Sequence, residues 1–183
     1  MTAAQKNVLA LSLTTPIGPM TLAEEKGAIA SLRWGATPRQ DETPLLCRAR
    51  RMLERYFAGE KEAFDLPLAP AGTAFERRVW KALRTIPWGE TRTYGWIARD
   101  SGGTARAVGR AAGRNPVPII IPCHRLVASA GLGGFSAPGG VATKRALLAL
   151  EGRAFEADLF ARAGPGAPAD PIRADLMKGE ATA

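Results

Sequence analysis

At 183 residues, 46% of them hydrophobic, the chain is long enough for one fair-sized folded unit or two small ones. No stretch approaches the roughly 18 apolar residues of a membrane span, and Met1 to Asn7 lack the basic start and apolar run of an export signal, so the expectation is a cytoplasmic protein with no membrane partner. The net charge of +8 is unevenly placed: residues 75 to 145 carry 12 Lys and Arg against 3 Asp and Glu, and the remainder carries 13 against 14. A near-neutral part joined to a basic part points to a polyanionic partner, of which nucleic acid is the natural one.

Residues 8 to 34 read as a β-meander. Val8 to Leu13, Met20 to Ala23 and Ala28 to Trp34 alternate or run apolar, with turn residues at Pro16-Ile17-Gly18-Pro19 and Glu25-Lys26-Gly27. Leu45, Leu46, Ala49, Met52, Leu53, Tyr56 and Phe57 then recur at helical spacing, which leaves Cys47 on the opposite face as an ordinary, partly exposed thiol. Phe64, Leu66 and Leu68 suggest a last strand running into a Pro-rich linker. A second unit opens at Gly72, where Thr73 and Glu76 have the spacing of a capping box ahead of an apolar face made by Phe75, Val79, Trp80, Leu83 and Ile86. Two short helical patterns follow, Thr93 to Asp100 and Thr104 to Ala112, split by Ser101-Gly102-Gly103 in the punctuation of a helix-turn-helix. In the second, Ala107, Val108, Ala111 and Ala112 are small, while Arg106, Arg110 and Arg114 repeat every four residues, so this helix can lie close to a phosphate backbone.

The stretch Asn115-Pro116-Val117-Pro118-Ile119-Ile120-Ile121-Pro122-Cys123-His124-Arg125 holds the chain's single histidine next to a cysteine. Ile119 to Ile121 read as a short buried strand that Pro122 terminates, which would hold Cys123 rigidly at a cleft. A thiol attacks as thiolate, so an adjacent imidazole and guanidinium are the residue types that such chemistry needs. The two cysteines, Cys47 and Cys123, stand far apart with no CxxC, so neither a metal site nor a disulfide framework is expected. Gly131 to Gly140 lacks the Gly-Lys-Ser/Thr ending of a phosphate-binding loop and reads instead as a pocket lid carrying Phe135. Val141 to Leu150 is a last helix closed by Glu151-Gly152, and from Arg153 the Ala-, Gly- and Pro-rich composition suggests a weakly ordered tail.

Several of these pieces, in this order, resemble the methylated-DNA–protein-cysteine methyltransferases, also called 6-O-alkylguanine-DNA alkyltransferases. They are Phe75 with Val79-Trp80, Pro87-Trp88-Gly89-Glu90 with Thr93-Tyr94, Ala105-Arg106-Ala107-Val108-Gly109, the Asn115 to Arg125 stretch, and Leu147-Leu148 with Glu151-Gly152. The likeness is strong from Gly72 to Gly152 and looser, through Thr15-Pro16-Ile17-Gly18, before it. It implies an α/β (α+β) protein: an N-terminal ribonuclease-H-like β-sheet plus helix over residues 1–71, a C-terminal winged-helix-like DNA-binding and alkyl-acceptor unit over 72–153, and the tail over 154–183.

The implied reaction is single-turnover transfer of a methyl or small alkyl group from the 6-oxygen of guanine in duplex DNA, with the 4-oxygen of thymine as a further candidate, to Cys123, by a monomer that uses no cofactor. In this scheme His124 is the base, acting through a water because neighbours on an extended chain point apart, and Glu151 orients it. Asn115 closes the turn, and Tyr94 donates a proton or hydrogen bond to the guanine. Arg106 fills the stack left by the flipped nucleotide, with Ala107, Arg110, Arg114, Thr93 and Ser129 along the DNA. Tyr94, Trp80, Val127, Phe135 and Ser136 line the pocket. The chain departs from the family pattern in carrying an extra Ala137-Pro138 and a Phe at position 135 where a Tyr is frequent. Two other classes stay open at this point: a non-repairing sensor or regulator that binds alkylated DNA, and a Cys-His hydrolase, which turnover would reveal.

Overall fold

The computed structural model describes residues 8–152; the expected tail and residue 153 lie outside the described residues. Strands β1 (Val8–Thr15), β2 (Gly18–Glu25) and β3 (Ala28–Trp34) form an antiparallel sheet in sequence order. Lys26 and Gly27, with φ of 51° and 75°, make the two-residue turn between β2 and β3; positive φ at both positions suits the right-handed twist of a hairpin. Leu11, Leu13, Met20 and Leu22 keep the period of two and point into the core. Ile29 and Leu32 are three apart and would face opposite sides of a regular strand. A register shift opposite Ala23 and Glu24 places an extra residue between them, and both are buried.

Helix α1 (Pro44–Phe57) starts where Thr43 accepts a hydrogen bond from the Leu46 amide; it buries Leu46, Ala49, Leu53 and Tyr56 and packs on the sheet. The strand expected over Phe64 to Leu68 is reduced to one bridge. Ile29 N donates to the Pro67 carbonyl and Ala69 N to the Ile29 carbonyl, but Pro67 and Pro70 have no amide hydrogen with which to extend a ladder.

Helix α2 (Ala74–Leu83) opens with the expected capping box, Thr73 accepting from the Glu76 amide and Glu76 from the Thr73 amide. After β4 (Arg92–Thr93), α3 (Tyr94–Ser101) and α4 (Ala105–Gly113) form the helix-turn-helix, capped by Thr93 and Thr104 at their starts and by left-handed Gly102 between them. Gly103 is required by space as well, since a Cβ there would lie 2.5 Å from the Phe75 ring on α2. β5 (Leu126–Val127) pairs in parallel with β4, and α5 (Val141–Leu150) closes the described chain.

The Ile119 to Ile121 run is not a strand. Asn115 Oδ1 accepts from the Val117 amide, Asn115 Nδ2 donates to the Ile121 carbonyl, Ile121 N donates back to the Val117 carbonyl, and Ile119 sits at a φ of 73°. Pro116 and Pro118 withhold ladder donors, so the chain turns. A β-branched residue at positive φ costs about 1–3 kcal/mol. Full burial of an isoleucine returns about 1.5–3 kcal/mol, and all three isoleucines are buried, so packing outweighs the strain. Cys123–Arg125 then form one 3-10 turn rather than an extended segment.

Candidate active site

The 3-10 turn presents Cys123 Sγ to a cavity of about 400 Å³ that is also lined by Tyr94, Asn115, Pro118, Phe135 and Ser136, together with Trp34 from β3 and Gly109, Ala112 and Gly113 from the helix-turn-helix. A cavity of this size suits a small ligand or a single base. Asn115 Nδ2 donates to Sγ at 3.2 Å. Burial pushes the Cys123 thiol above its ordinary value, while the Asn115 hydrogen bond and the positive charge of Lys144 act against it. The resting group is therefore a thiol that needs a base.

His124 is fully buried, and its Nε2 lies 2.7 Å from Glu151 Oε1. With Nε2–H donated to the carboxylate, Nδ1 is left as the basic nitrogen, and it has no hydrogen-bond partner among the described residues. Burial lowers the His124 pKa, opposed by the Glu151 hydrogen bond and charge, so the imidazole is neutral at physiological pH. Transfer is accordingly expected to fall on acidification as His124 protonates, with a midpoint below the ordinary imidazole value of 6.5; a pH–rate profile with no acid limb there would remove His124 from the chemistry.

Glu151, the C-terminal cap of α5, is 3% exposed. Arg125 grips it with Nε at 2.9 Å from Oε2 and Nη2 at 3.0 Å from Oε1, and Arg125 Nη1 reaches the Ile86 carbonyl at 2.6 Å. Gly89 N and Tyr56 Oη also donate to the carboxylate. Burial alone would raise the carboxyl pKa, but His124 and Arg125 reverse it and hold it at about 2. The sign follows. A carboxylate depressed from 4.5 to about 2 adds stability above its ordinary value, and that stability is lost as pH falls through this window.

Lys144 on α5 is completely buried, and its Nζ donates to the carbonyls of Leu126, Leu132 and Gly134. It thus ties the lid loop to the strand after Cys123. Burial lowers it to about 8, with the Cys123 charge acting in the other direction. Tyr94 is held at the N-terminus of α3, and a Cβ on Gly133, whose φ is 69°, would come within 3.1 Å of its ring, so the lid lies directly on the tyrosine.

The structure brings Cys123, His124, Glu151, Asn115 and Tyr94 together, with Phe135 and Ser136 in the cavity wall. Two expected pocket residues lie elsewhere. Trp80 is 2% exposed in the core, its Nε1 donating to the Ala111 carbonyl, and half-buried Val127 is in β5 outside the cavity lining. The apolar face of α2 claimed Trp80, and Val127 is taken up by the β4–β5 pairing, opposite Thr93. Arg106, Arg110 and Ser129 are exposed, Ala107 is half-buried, Thr93 spends its hydroxyl capping α3, and Arg114 pairs with Glu76 at 3.2 Å.

Sequence reasoning missed Trp34, Tyr56, Arg125 as a clamp, and Lys144. Lys144 carried a local signal, since it shares a helical face with Leu148 and Glu151 at spacings of four and seven. Cys47 is half-buried on α1 and outside the cavity lining, so Cys47→Ala is expected to leave alkyl transfer at the wild-type level in a labelled-substrate assay. Among the described residues no His, Cys, Asp and Glu cluster could hold a metal ion, and no helix is long and apolar enough to cross a membrane.

A buried thiol backed by imidazole and carboxylate, set beside a helix-turn-helix, defines a class: DNA-binding proteins with a cysteine acceptor. Comparison with known proteins narrows it. The chain belongs to the 6-O-methylguanine DNA methyltransferase family, residues 10–70 matching its ribonuclease-like domain and residues 74–153 its DNA-binding domain. It is 46% identical over 158 residues to the methylated-DNA–protein-cysteine methyltransferase of Mycobacterium tuberculosis, covering 81% of this chain and 94% of that protein. The Methanosarcina acetivorans protein of the same name is 44% identical over 149 residues, covering 75% and 94%. A crystal structure of the M. tuberculosis protein in complex with DNA superposes with a TM-score of 0.70 at 46% identity, covering 82% of this chain and 97% of that one.

Proposed function

We propose that Cys123 takes an alkyl group directly from the 6-oxygen of guanine in duplex DNA, in a single turnover. The observation that carries this reading is the hydrogen-bonded series from His124 through Glu151 to Arg125, placed behind a thiol that opens into the cavity. Neutral His124 removes the Cys123 proton at Nδ1 through a bridging water, and Glu151 stabilises the imidazolium formed. The thiolate attacks the alkyl carbon; a C–S bond forms, the C–O bond breaks, and its electron pair goes to the guanine, where the Tyr94 hydroxyl donates. Burial raises the Tyr94 pKa, with the Cys123 charge adding to it, so the phenol keeps the proton it must offer. The product thioether has no good leaving group, so the protein is consumed and no cofactor restores it.

In the same reading the α4 face with Arg106 and Arg110 meets the DNA, and the protein works as a cytoplasmic monomer with units at 1–71 and 72–153. Proteins that read a lesion in this way hold the phosphate backbone, so binding is expected to be steeply salt-dependent and weakly sequence-dependent. With a few phosphate contacts, affinity falls on the order of tenfold or more between about 50 and 200 mM salt. A flat response in fluorescence anisotropy would show that the basic segment is not the DNA face. The deciding experiment is mass spectrometry after incubation with a duplex carrying 6-O-methylguanine. One methyl group on the peptide containing Cys123, at no more than one per chain, is expected. Unmodified protein with intact binding would favour a sensor, and repeated release of product would favour a hydrolase.

A further inference from the structure

We propose that Tyr56, contributed by α1 of the N-terminal segment, is a positioning residue for alkyl transfer, its hydroxyl holding the Glu151 oxygen that His124 uses and thereby setting the basicity of His124. The proposal rests on the reading of His124 as the base. Tyr56 Oη donates to Glu151 Oε1 at 2.9 Å, His124 Nε2 meets the same oxygen at 2.7 Å, and the tyrosine oxygen and the imidazole nitrogen are 3.4 Å apart. Arg125 Nη2 is a third donor to that oxygen at 3.0 Å. A carboxylate oxygen offers two lone-pair directions, so three donors compete there and each weakens what the others receive.

The phenol is built to stay where it is. Tyr56 is fully buried, with its ring edge-on to Phe57 at 5.3 Å and to Trp88 at 5.2 Å, and tilted against Phe64 at 5.8 Å. Burial first, and the Glu151 charge second, push its pKa well above the ordinary phenol value, so it remains a donor at every working pH. The charged groups acting on His124 are Glu151, which favours the imidazolium, and Arg125 and Lys144, which oppose it. Tyr56 tempers the first of these. By drawing charge on Oε1 toward itself, it leaves less for Nε2–H and keeps His124 a neutral base. It also makes the N-terminal segment part of the chemistry, because α1 supplies a hydrogen bond to a network whose other side chains, His124, Arg125 and Glu151, all follow residue 88.

The chain's single histidine allows a test that does not depend on activity. In full-length Tyr56→Phe protein the His124 imidazole titration, followed by NMR, is expected to move up by about half a unit to one unit. The acid limb of methyl transfer from a 6-O-methylguanine duplex is expected to move with it. In a Glu151→Gln background the same substitution is expected to add no shift, because the coupling passes through the carboxylate. An unchanged His124 titration in Tyr56→Phe would overturn the proposal, including the case in which thermal stability drops and transfer declines equally at all pH values, as simple loss of packing would produce. A shifted titration with an unmoved rate limb would instead remove His124 as the base, and with it the catalytic consequence of Tyr56.

Discussion

Cys123→Ala is expected to abolish alkyl transfer completely while leaving affinity for duplex DNA close to that of the unaltered protein. The first half follows from chemistry, because no other described sulfur lines the cavity and the thioether bond has no alternative acceptor there. The second half follows from how the turn is held. Asn115 Nδ2 donates to the Ile121 carbonyl as well as to Sγ, Cys123 N donates to the Ile121 carbonyl, and Arg125 N to the Pro122 carbonyl, so removing the sulfur leaves the turn's backbone bonds in place. The cost in stability is that of a small buried side-chain change, about 1 kcal/mol. The arginines proposed to meet phosphate lie on α4, not on the turn. A labelled-methyl duplex assay run beside anisotropy measures both quantities. Transfer in the variant comparable to wild type would sink Cys123 as the acceptor, and parallel loss of both signals would mean that the thiol supports the DNA face.

What the sequence made legible divides along a physical line. The hairpins, the Thr73–Glu76 capping box, the glycine between α3 and α4 and the span of α5 are local: each is specified by residues within a turn or two of one another, and each is found where the spacing put it. The apolar run Ile119 to Ile121 failed because burial and strand pairing leave the same mark on a short segment. What separates them is hydrogen bonding by Asn115 and the missing donors of Pro116 and Pro118. Cys123, His124 and Glu151 were recognisable because the residues around them resemble a family's motifs. Tyr56 and Trp34 were not, since each lies on an apolar face whose periodicity is fully explained by packing, and their second role depends on how the N-terminal segment meets the turn at residue 123. A buried tyrosine hydroxyl does need a partner, and that requirement is the one hint that Tyr56 offered.

The same distinction between local and assembled roles governs Arg106. Its side chain is exposed near the start of α4, one residue after Ala105 and two after the Thr104 cap, so nothing in the fold depends on it. The guanine 6-oxygen sits on the major-groove edge of a stacked base, and Cys123 is held inside a cavity that admits a single base but not a duplex, so reaction requires the nucleotide to leave the stack. Unstacking costs a few kcal/mol, and a side chain that enters the vacancy offsets part of that cost. Without it, Arg106→Ala is expected to slow repair of 6-O-methylguanine in duplex DNA by on the order of 10²-fold, the equivalent of about 3 kcal/mol. The free methylated base needs no flipping. In the proposed mechanism its reaction depends on the thiol, His124, Glu151 and Tyr94, none of which Arg106 touches, and its rate is expected to stay near wild type. Measuring the two substrates side by side separates the possibilities: equal loss on both would make Arg106 a support of the pocket or the fold, and no loss on either would return it to a solvated arginine on an exposed helix.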